Sequence, residues 1–393
     1  MIRPDALIVI ILLTMLTALG PITTDLYLPS LPSIQAYFDT DVPTVQLTLS
    51  VYLVVFAICQ LFYGPMSDRY GRRPVLILGT FIYFLGAIVC LIASSIEMLI
   101  AGRMLQALGG CAGIVLARSV VRDVYGQQKS AKMLSYMGTA MALAPGLGPI
   151  IGGYLTVAFG WQANFGILVA FGGLCLLGII FLLQETNVHK DPDAVHPVQT
   201  FNNFLKLLSN RTYAGYLLTA AFSYSGLFAF ISGSSFVFIN VVGLTADQYG
   251  YCFAAAVVGY MIGTQIGGRS VEKFGIPSVV KWGTIVSAIS GIAMLATAMA
   301  SMTSVAAILI PMVFYMAGMG MTLPNSMAGA IGPFPKMAGA ASSLAGFAQY
   351  GIASFVGLGV AHSFDMTELP MATGVATMGV GAMLSCRLVK PAS

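Results

Sequence analysis

The sequence contains very little charge for its length. Only 8% of its 393 residues are Asp, Glu, Lys or Arg, whereas soluble domains carry about 25%. Hydrophobic residues make up 58% of the chain, which is more apolar surface than a water-soluble fold could hide. This balance argues against a soluble enzyme or a nucleic-acid-binding protein, and it indicates that the lipid bilayer is the solvent.

Several catalytic signatures are also missing. The six cysteines are scattered through apolar runs without a Cys-x-x-Cys pair, so the sequence predicts neither a metal site nor a disulfide framework. It has no phosphate-binding Gly-x-x-x-x-Gly-Lys-Ser/Thr loop, no Gly-x-Ser-x-Gly and no His-Glu-x-x-His. A membrane-embedded enzyme would need a nucleophile, a metal cluster or paired acids within the spans, and none is visible. We therefore expect no enzymatic activity and no bound cofactor.

What the chain does contain is a series of apolar runs long enough to cross a bilayer, which takes about 20 helical residues. They predict an all-α integral membrane fold with twelve spans, at 5–28, 45–66, 75–95, 98–119, 134–157, 164–184, 213–239, 248–268, 280–300, 304–326, 338–361 and 369–388. Only the connector after the sixth span is long. The sequence thus predicts a six-helix bundle at 1–184, a linker at 185–212 and a second six-helix bundle at 213–393. These connectors are too short for the output domain that a receptor would need.

Basic residues are confined to one side of this arrangement. Every Lys and Arg except Arg103 falls in the termini, in an even-numbered connector or within two residues of one of these, whereas the charged residues of the odd-numbered connectors are all acids. Because cytoplasmic segments collect Lys and Arg, we expect both termini and the linker to be cytoplasmic. The acids are Asp39, Asp41, Glu97, Asp247, Asp365 and Glu368; the basic residues are Arg3, Arg69, Arg72, Arg73, Arg118, Arg122, Lys129, Lys132, Lys190, Lys206, Arg211, Arg269, Lys273, Lys281, Lys336, Arg387 and Lys390.

The densest charge cluster is the connector between the second and third spans, Gly-Pro-Met-Ser-Asp-Arg-Tyr-Gly-Arg-Arg-Pro at 64–74, called the hairpin below. Its pattern Gly-x-x-x-Asp-Arg-x-Gly recurs as Gly-x-x-x-Glu-Lys-x-Gly at 268–275, after the second span of the other half. The recurrence indicates a duplicated six-helix unit. Parallel halves of this kind place a substrate site between them near the midplane. A stop-transfer cluster that only fixes topology is the alternative.

This organisation resembles the major facilitator superfamily along the whole chain. The hairpin is similar to the most widespread motif of that superfamily. Ala-Pro-Gly-Leu-Gly-Pro-Ile-Ile-Gly-Gly at 144–153 resembles the Gly-Pro-rich motif of drug:proton antiporters, and Arg-Met-Leu-Gln at 103–106 resembles an Arg-containing motif linked to proton coupling. More narrowly, the segments 25–29, 122–125 and 337–346 resemble the Bcr/CflA subfamily, which is associated with bicyclomycin, sulfonamide and chloramphenicol-type resistance in bacteria.

The resemblance implies two groups of conformational residues. The first, called the latch, would hold helices together in one state of the cycle and comprises Gly64, Asp68, Arg69, Gly71, Arg72, Arg73 and Asp123. The second, the antiporter motif of the fifth span, comprises Pro145, Gly146, Gly148, Pro149, Gly152 and Gly153. Proline removes a helical hydrogen bond. The fifth span is therefore expected to be a hinge or a tight packing face between the halves.

Two ionisable residues, Asp25 and Arg103, fall inside predicted spans and away from the first and last two positions, where charge is expensive and indicates function. Asp25 lies deep in the first span, and Arg103 lies six residues after Glu97, or roughly 9 Å into the membrane. We expect the two to pair across the cavity, where burial favours the protonated carboxyl and Arg103 favours the carboxylate. Asp25 would take a proton from outside and release it inside as cargo leaves, while Gln106 would hydrogen-bond either partner. A static pair, or an Asp25 that faces the periplasmic mouth, are the alternatives.

A cavity for amphipathic molecules needs aromatic walls with a few polar points. Polar residues within spans and the aromatic seventh span supply the candidates, although aromatic residues in spans also serve ordinary packing. The predicted cavity residues are Tyr52, Gln60, Tyr224, Phe228, Phe236, Asn325 and Gln349.

These features lead us to expect a monomeric, proton-coupled antiporter of the bacterial inner membrane that exports small drug-like molecules by alternating access. Its partners would be protons, small-molecule drugs and lipid, with protons as the coupling ion. An exporter of a metabolite such as an amino acid or nucleobase, with drugs as secondary cargo, is the alternative. Both readings require proton exchange at Asp25, so the sequence does not separate them.

Overall fold

The computed structural model describes residues 6–187, 190, 197–334 and 337–389, with the backbone alone described for 126–132, 134–136, 138–143 and 197–200. Several basic residues of the predicted topology, Arg3, Lys336 and Lys390, lie outside the described residues. The described part is helical and contains no strand, which confirms the all-α prediction. Its helices are α1 Leu7–Asp25, α2 Leu31–Phe38, α3 Val42–Tyr70, α4 Arg72–Leu91, α5 Ile96–Phe159, α6 Gln162–Leu182, α7 Pro197–Leu208, α8 Arg211–Phe236, α9 Ala246–Met299, α10 Val305–Ile331, α11 Ala338–His362 and α12 Leu369–Cys386.

The predicted spans all fall on these helices. Ten helical segments in the described residues are long and apolar enough to cross a membrane, and the shorter apolar stretch Ala144–Phe159 completes α5. One of the ten is α9, whose 54 residues cover two predicted spans. Short 3-10 and π-helical turns, Leu28–Ser30 and Val237–Val241, extend α1 and α8.

The main difference from the sequence-based prediction is that helical backbone extends into two connectors between predicted spans. In α9 the chain turns at Gly275, whose φ of 75° is outside the helical region. In α5 a reversal follows from packing, because Gly113 lies against Leu16 and Gly148 lies against Asp25. A straight helix from Gly113 to Gly148 would span roughly 52 Å, whereas the two contact points on α1 are only about 13 Å apart. The two parts of α5 therefore run in opposite directions.

Two groups of helices make up the molecule. Helices α1, α3, α4, α5 and α6 pack mainly on one another, and α8 to α12 form the second group. The groups meet where α3 packs along α11 and where α5 packs along α9. Within the predicted linker, α7 packs against α11 and α8, with Leu207 buried and Phe201, Leu205 and Leu208 exposed.

Candidate functional site

A cavity of about 910 Å³ lies between the two groups of helices. It is walled by α1, α3 and α5 on one side and by α8 to α11 on the other. At one end it reaches the hairpin, where Gly64, Asp68 and Arg72 are in the wall together with Phe204 of α7. We call this the hairpin end and the opposite end the far end.

The two groups are in tight contact at the far end. Gly153 of α5 lies against the backbone of Ala246 at the start of α9, where an added Cβ would come within 2.4 Å of the Ala246 carbonyl oxygen. The hydroxyls of Tyr154 and Tyr251 hydrogen-bond at 2.6 Å across the same boundary. Further contacts between the groups join Gly250 to Pro149, the Gln46 amide to the carbonyl of Ser232, and the Ser354 hydroxyl to the carbonyl of Ser50. The cavity is thus closed at the far end and reaches the hairpin end.

Asp25, the last residue of α1, lines the far-end part of the cavity. Its side chain is buried, and within the described part of the chain the hydrogen bond it accepts comes from the Thr24 hydroxyl, at 3.2 Å. Tyr224 and Tyr350, which belong to the second group of helices, line the same cavity. A carboxyl group carried by one half therefore faces a cavity that the other half also walls.

Arg103 is completely buried behind the cavity wall. Its Nη1 donates to the carbonyl of Thr23 at 3.1 Å and to Oε1 of Gln106 at 2.9 Å. Its Nε donates to the carbonyl of Thr48 at 3.3 Å. As expected, then, Gln106 lies within hydrogen-bond distance of Arg103, and α1, α3 and α5 together build the pocket around the guanidinium.

The predicted pair between Asp25 and Arg103 is wrong for this conformation. Among the described residues both ion pairs belong to Arg72, and the Arg103 guanidinium lies instead between the rings of Tyr27 and Tyr52, 4.4 and 4.5 Å from their centroids. Aromatic faces and carbonyl oxygens stabilise a buried cation without a carboxylate. Nη2 of Arg103 remains buried without an acceptor in the described part of the chain, as does Nε2 of Gln106.

Arg72 is the centre of the latch residues. Its Nη1 lies 2.5 Å from Asp68 Oδ1, and its Nε lies 3.0 Å from Asp123 Oδ2 on α5. Nη1 also donates to the Ser67 hydroxyl. No described atom lies within 4 Å of an added Cβ at Gly64. Arg69 is exposed and stacks on its neighbour Tyr70. These contacts keep the latch within the first group of helices in this conformation.

Glu185 is a latch partner that the sequence-based analysis missed. Its carboxylate accepts the backbone N–H groups of Arg72 at 2.9 Å and Arg73 at 3.2 Å, so it caps the N-terminus of α4. The Arg73 side chain donates to the carbonyl of Ile180 at 2.8 Å. Gly71 makes the turn with a φ of 106°. A carboxylate is favoured at a helix N-terminus, but the position of Glu185 after the sixth span gave no sign of this contact.

The antiporter motif lies where α5 meets α1 and α9. Gly148 packs on Asp25, and Gly152 packs so closely on Leu26 that an added Cβ would come within 1.7 Å of the carbonyl oxygen. Among the described residues, the nearest neighbour of an added Cβ at Gly146 is Val257, at 3.8 Å. The other members are at the boundary between the groups: Gly153 faces Ala246, the Pro149 carbonyl faces Gly250, and Pro145 lines the cavity.

Five of the predicted cavity residues are in the wall, and two are not. Those in the wall are Tyr52, Gln60, Tyr224, Phe228 and Gln349. Phe236 is completely buried near the far end, where its ring packs 5.9 Å from that of Phe364. Asn325 points away because it follows the wall residue Leu323 by two positions, about 200° around α10, and it donates to the carbonyl of Met321. Both predictions are wrong.

The wall also contains residues that the sequence-based analysis did not select. Tyr350 lies in it, in T-shaped contact with Tyr224 at 5.3 Å. Arg118, which the prediction placed in a cytoplasmic connector, lines the cavity on α5. Its position four residues after Ile114 and four before Arg122 puts the three side chains on one helix face, and this spacing was the available signal.

Comparison with protein families decides the classification. The profile of the Major Facilitator Superfamily matches residues 11–358. The chain belongs to the major facilitator superfamily. This confirms the family and the fold class that the motifs predicted.

Curated relatives of this major facilitator protein are similar over nearly the whole chain. It is 31% identical to a bicyclomycin resistance protein homolog of Haemophilus influenzae, with 98% of this chain and 95% of the relative covered. It is 28% identical to multidrug resistance protein D of Escherichia coli, over 94% of this chain and 91% of the relative. A chloramphenicol resistance protein of Pseudomonas aeruginosa is 30% identical, with 85% and 79% covered.

Solved major facilitator structures share the fold. A D-xylose–proton symporter superposes with a TM-score of 0.77 and 16% identity, covering 97% of this chain and 96% of its own. A bacterial homolog of the human lysosomal transporter Spinster, in an inward-facing conformation, gives a TM-score of 0.70 and 16% identity, with 97% and 94% covered. At these identities the likeness establishes the fold alone.

Proposed function

We propose that this protein exports small, drug-like amphipathic molecules across the bacterial inner membrane in exchange for protons. The drug-resistance names of its relatives support the cargo class. The cavity supports it as well, because about 910 Å³ between aromatic walls suits a small organic molecule. The residues that form the cavity come from one chain, which is in keeping with a monomer.

The observation that carries the proton coupling is the position of Asp25. Of the carboxylates in the described wall, Asp68 is paired with Arg72, whereas Asp25 has only the Thr24 hydroxyl. Asp25 also shares the cavity wall with Tyr224 and Tyr350 of the opposite half. A carboxyl group between two moving halves has different surroundings in each state, so its proton affinity changes as the halves move.

We take the hairpin end as the cytoplasmic side, since Lys and Arg collect there. In the conformation described, cargo enters from the cytoplasm while the far end is closed. Opening of the far end would release cargo to the periplasm and let a proton reach Asp25. Return of the halves would carry that proton to the cytoplasm.

The test is Asp25→Asn in inverted membrane vesicles loaded with a proton gradient. We expect wild-type vesicles to accumulate chloramphenicol and to release protons when it is added, whereas Asp25→Asn vesicles do neither. Drug-for-drug exchange needs no net proton movement and is expected to survive in the variant. The matched control is Asp39→Asn, an exposed acid outside the cavity. Gradient-driven uptake at the wild-type rate in Asp25→Asn vesicles would rule out coupling through this residue.

A further inference from the structure

Arg118 is a cation in the cavity wall without a counter-ion among the described residues. Its side chain lines the cavity and is exposed to it. Both described ion pairs belong to Arg72, and the other charged residue of α5 in the cavity wall is the like-charged Arg122. Arginine stays charged in proteins. The cavity therefore presents a permanent positive charge that no described carboxylate neutralises.

The other charges of the wall leave this part of the cavity basic. Asp68 and Arg72 neutralise each other. Arg122 lies one turn nearer the hairpin and donates to the Ser119 hydroxyl at 3.3 Å. Asp25 is distant: since Gly113 is level with Leu16 on the antiparallel α1, Arg118 lies roughly 20 Å along the helix axes from Asp25.

Aromatic rings line the cavity between these two charged groups. Tyr350 packs on Phe56, which lies against Gly20 of α1 between the levels of Asp25 and Arg118. Its ring lies 5.3 Å from that of Tyr224 and 5.1 Å from that of Phe56, in T-shaped contacts. All three aromatic residues line the cavity. The wall thus offers a cation at one point and an apolar surface beside it.

We propose that Arg118 binds the anionic group of the cargo, and that the preferred cargo is an amphipathic organic anion such as an aromatic carboxylate. The guanidinium supplies paired N–H donors that match a carboxylate, while the apolar body packs on Phe56, Tyr224 and Tyr350. Cargo charge and coupling proton then occupy separate ends of the cavity. This inference rests on the proposed export function for its role, although the binding site can be measured without transport.

The test compares two probes with one scaffold, chloramphenicol and chloramphenicol succinate, whose added succinyl ester carries a carboxylate. Binding is measured by titration calorimetry on the full chain in phosphatidylcholine nanodiscs, so that no anionic lipid competes. We expect the wild type to bind the succinate ester at least about tenfold more tightly, the factor typical of a charge-assisted hydrogen bond. Arg118→Gln is expected to lose that factor for the ester and to change chloramphenicol binding less than about twofold. Arg118→Lys is expected to keep part of the preference.

Arg122→Gln is the matched control, because it removes the same charge one turn away. An equal loss in this control would mean a diffuse positive field and would overturn the site at Arg118. Unchanged ester binding in Arg118→Gln, or an equal loss for both probes, would also overturn it. Should Arg118→Gln fail to fold, the Lys variant and the control carry the same comparison. Arg118-dependent binding without efflux in vesicles would contradict the proposed function alone, whereas efflux without Arg118-dependent binding would contradict this inference alone.

Discussion

At the scale of single residues, Arg103 and Asp25 occupy separate environments in this conformation. Arg103 is held by carbonyl oxygens and by the rings of Tyr27 and Tyr52, while Asp25 faces the cavity. Donor atoms of Arg103 and Gln106 stay buried without an acceptor in the described chain. An unsatisfied buried donor costs about 1–3 kcal/mol. A rearrangement that brings an acceptor to these donors would therefore be favoured. The carboxylate that Asp25 becomes on losing its proton is such an acceptor, so deprotonation of Asp25 would favour a move of Arg103 towards it.

Glycine spacing in the antiporter motif supports a prediction at the same scale. Alanine at Gly152 would force its Cβ into the Leu26 carbonyl. Because this contact lies within the first group of helices, opening of the far end cannot relieve it. We expect Gly152→Ala to cost about 1–3 kcal/mol and to lower the melting temperature of the detergent-solubilised protein, measured by intrinsic tryptophan fluorescence.

The matched control for this prediction is Gly146→Ala in the same helix. There the nearest atom to an added Cβ is Val257 Cγ1 at 3.8 Å, an ordinary contact. Alanine has the higher helix propensity by up to about 1 kcal/mol, so we expect an unchanged or raised melting temperature. If both substitutions lowered the melting temperature equally, the close packing of Gly152 on Leu26 would not be the reason for glycine in this motif.

At the scale of elements, the two copies of the repeated hairpin pattern share one backbone device. Gly71 and Gly275 both have positive φ, 106° and 75°, and both lie at a reversal between two spans. They differ in surroundings: an added Cβ at Gly71 would come within 2.4 Å of the Glu185 carboxylate, whereas at Gly275 the nearest described neighbour is Pro277 at 3.8 Å. The turn at Gly71 thus contacts Glu185 of the same half, whereas the turn at Gly275 has no comparable contact among the described residues.

This difference predicts unequal effects of alanine at the two turns. Both substitutions should cost the strain of a backbone region with positive φ and extended ψ that essentially only glycine adopts, about 1–3 kcal/mol. Gly71→Ala should cost more, because Glu185 must also move off the α4 N-terminus and leave the N–H groups of Arg72 and Arg73. We expect the larger drop in melting temperature for Gly71→Ala, measured by thermal unfolding of purified protein. A drop for Gly275→Ala as large as that for Gly71→Ala would contradict this account of Glu185.

Elements were more predictable from the sequence than contacts were. Span positions followed from apolar length alone, and the repeat located the reversal that the structure places at Gly275. That the connector within α5 is helical was not predicted, because apolar length marks where the membrane ends and not where a helix ends. Likewise the sequence selected Asp25 and Arg103 by their depth, but only packing showed that Tyr27 and Tyr52 enclose the arginine and that Arg118 faces the cavity.

At the scale of the whole molecule, two features define the conformation. The boundary between the two groups of helices is closed at the far end, and the cavity reaches the hairpin end. The far-end contacts join α5 to α9 and α3 to α8 and α11, so they all cross between the two groups of helices. Helices that move as two bodies must break these contacts together for the far end to open. A covalent bond across this boundary should therefore stop the cycle while leaving the hairpin end accessible.

Tyr154 and Tyr251, whose hydroxyls meet at 2.6 Å, are the positions for that bond. We expect a pair of cysteines introduced there, in a background with the six native cysteines replaced, to be joined by a reducible bifunctional thiosulfonate. Drug uptake into inverted vesicles should then stop and return on reduction, while binding of chloramphenicol succinate from the hairpin end persists.

The matched control is a cysteine pair at Tyr37 and Trp161, whose rings lie 5.4 Å apart within the first half. Its cross-link should leave uptake unchanged because those residues move together. Undiminished uptake by fully cross-linked Tyr154 and Tyr251 positions would mean that the far end need not open for export.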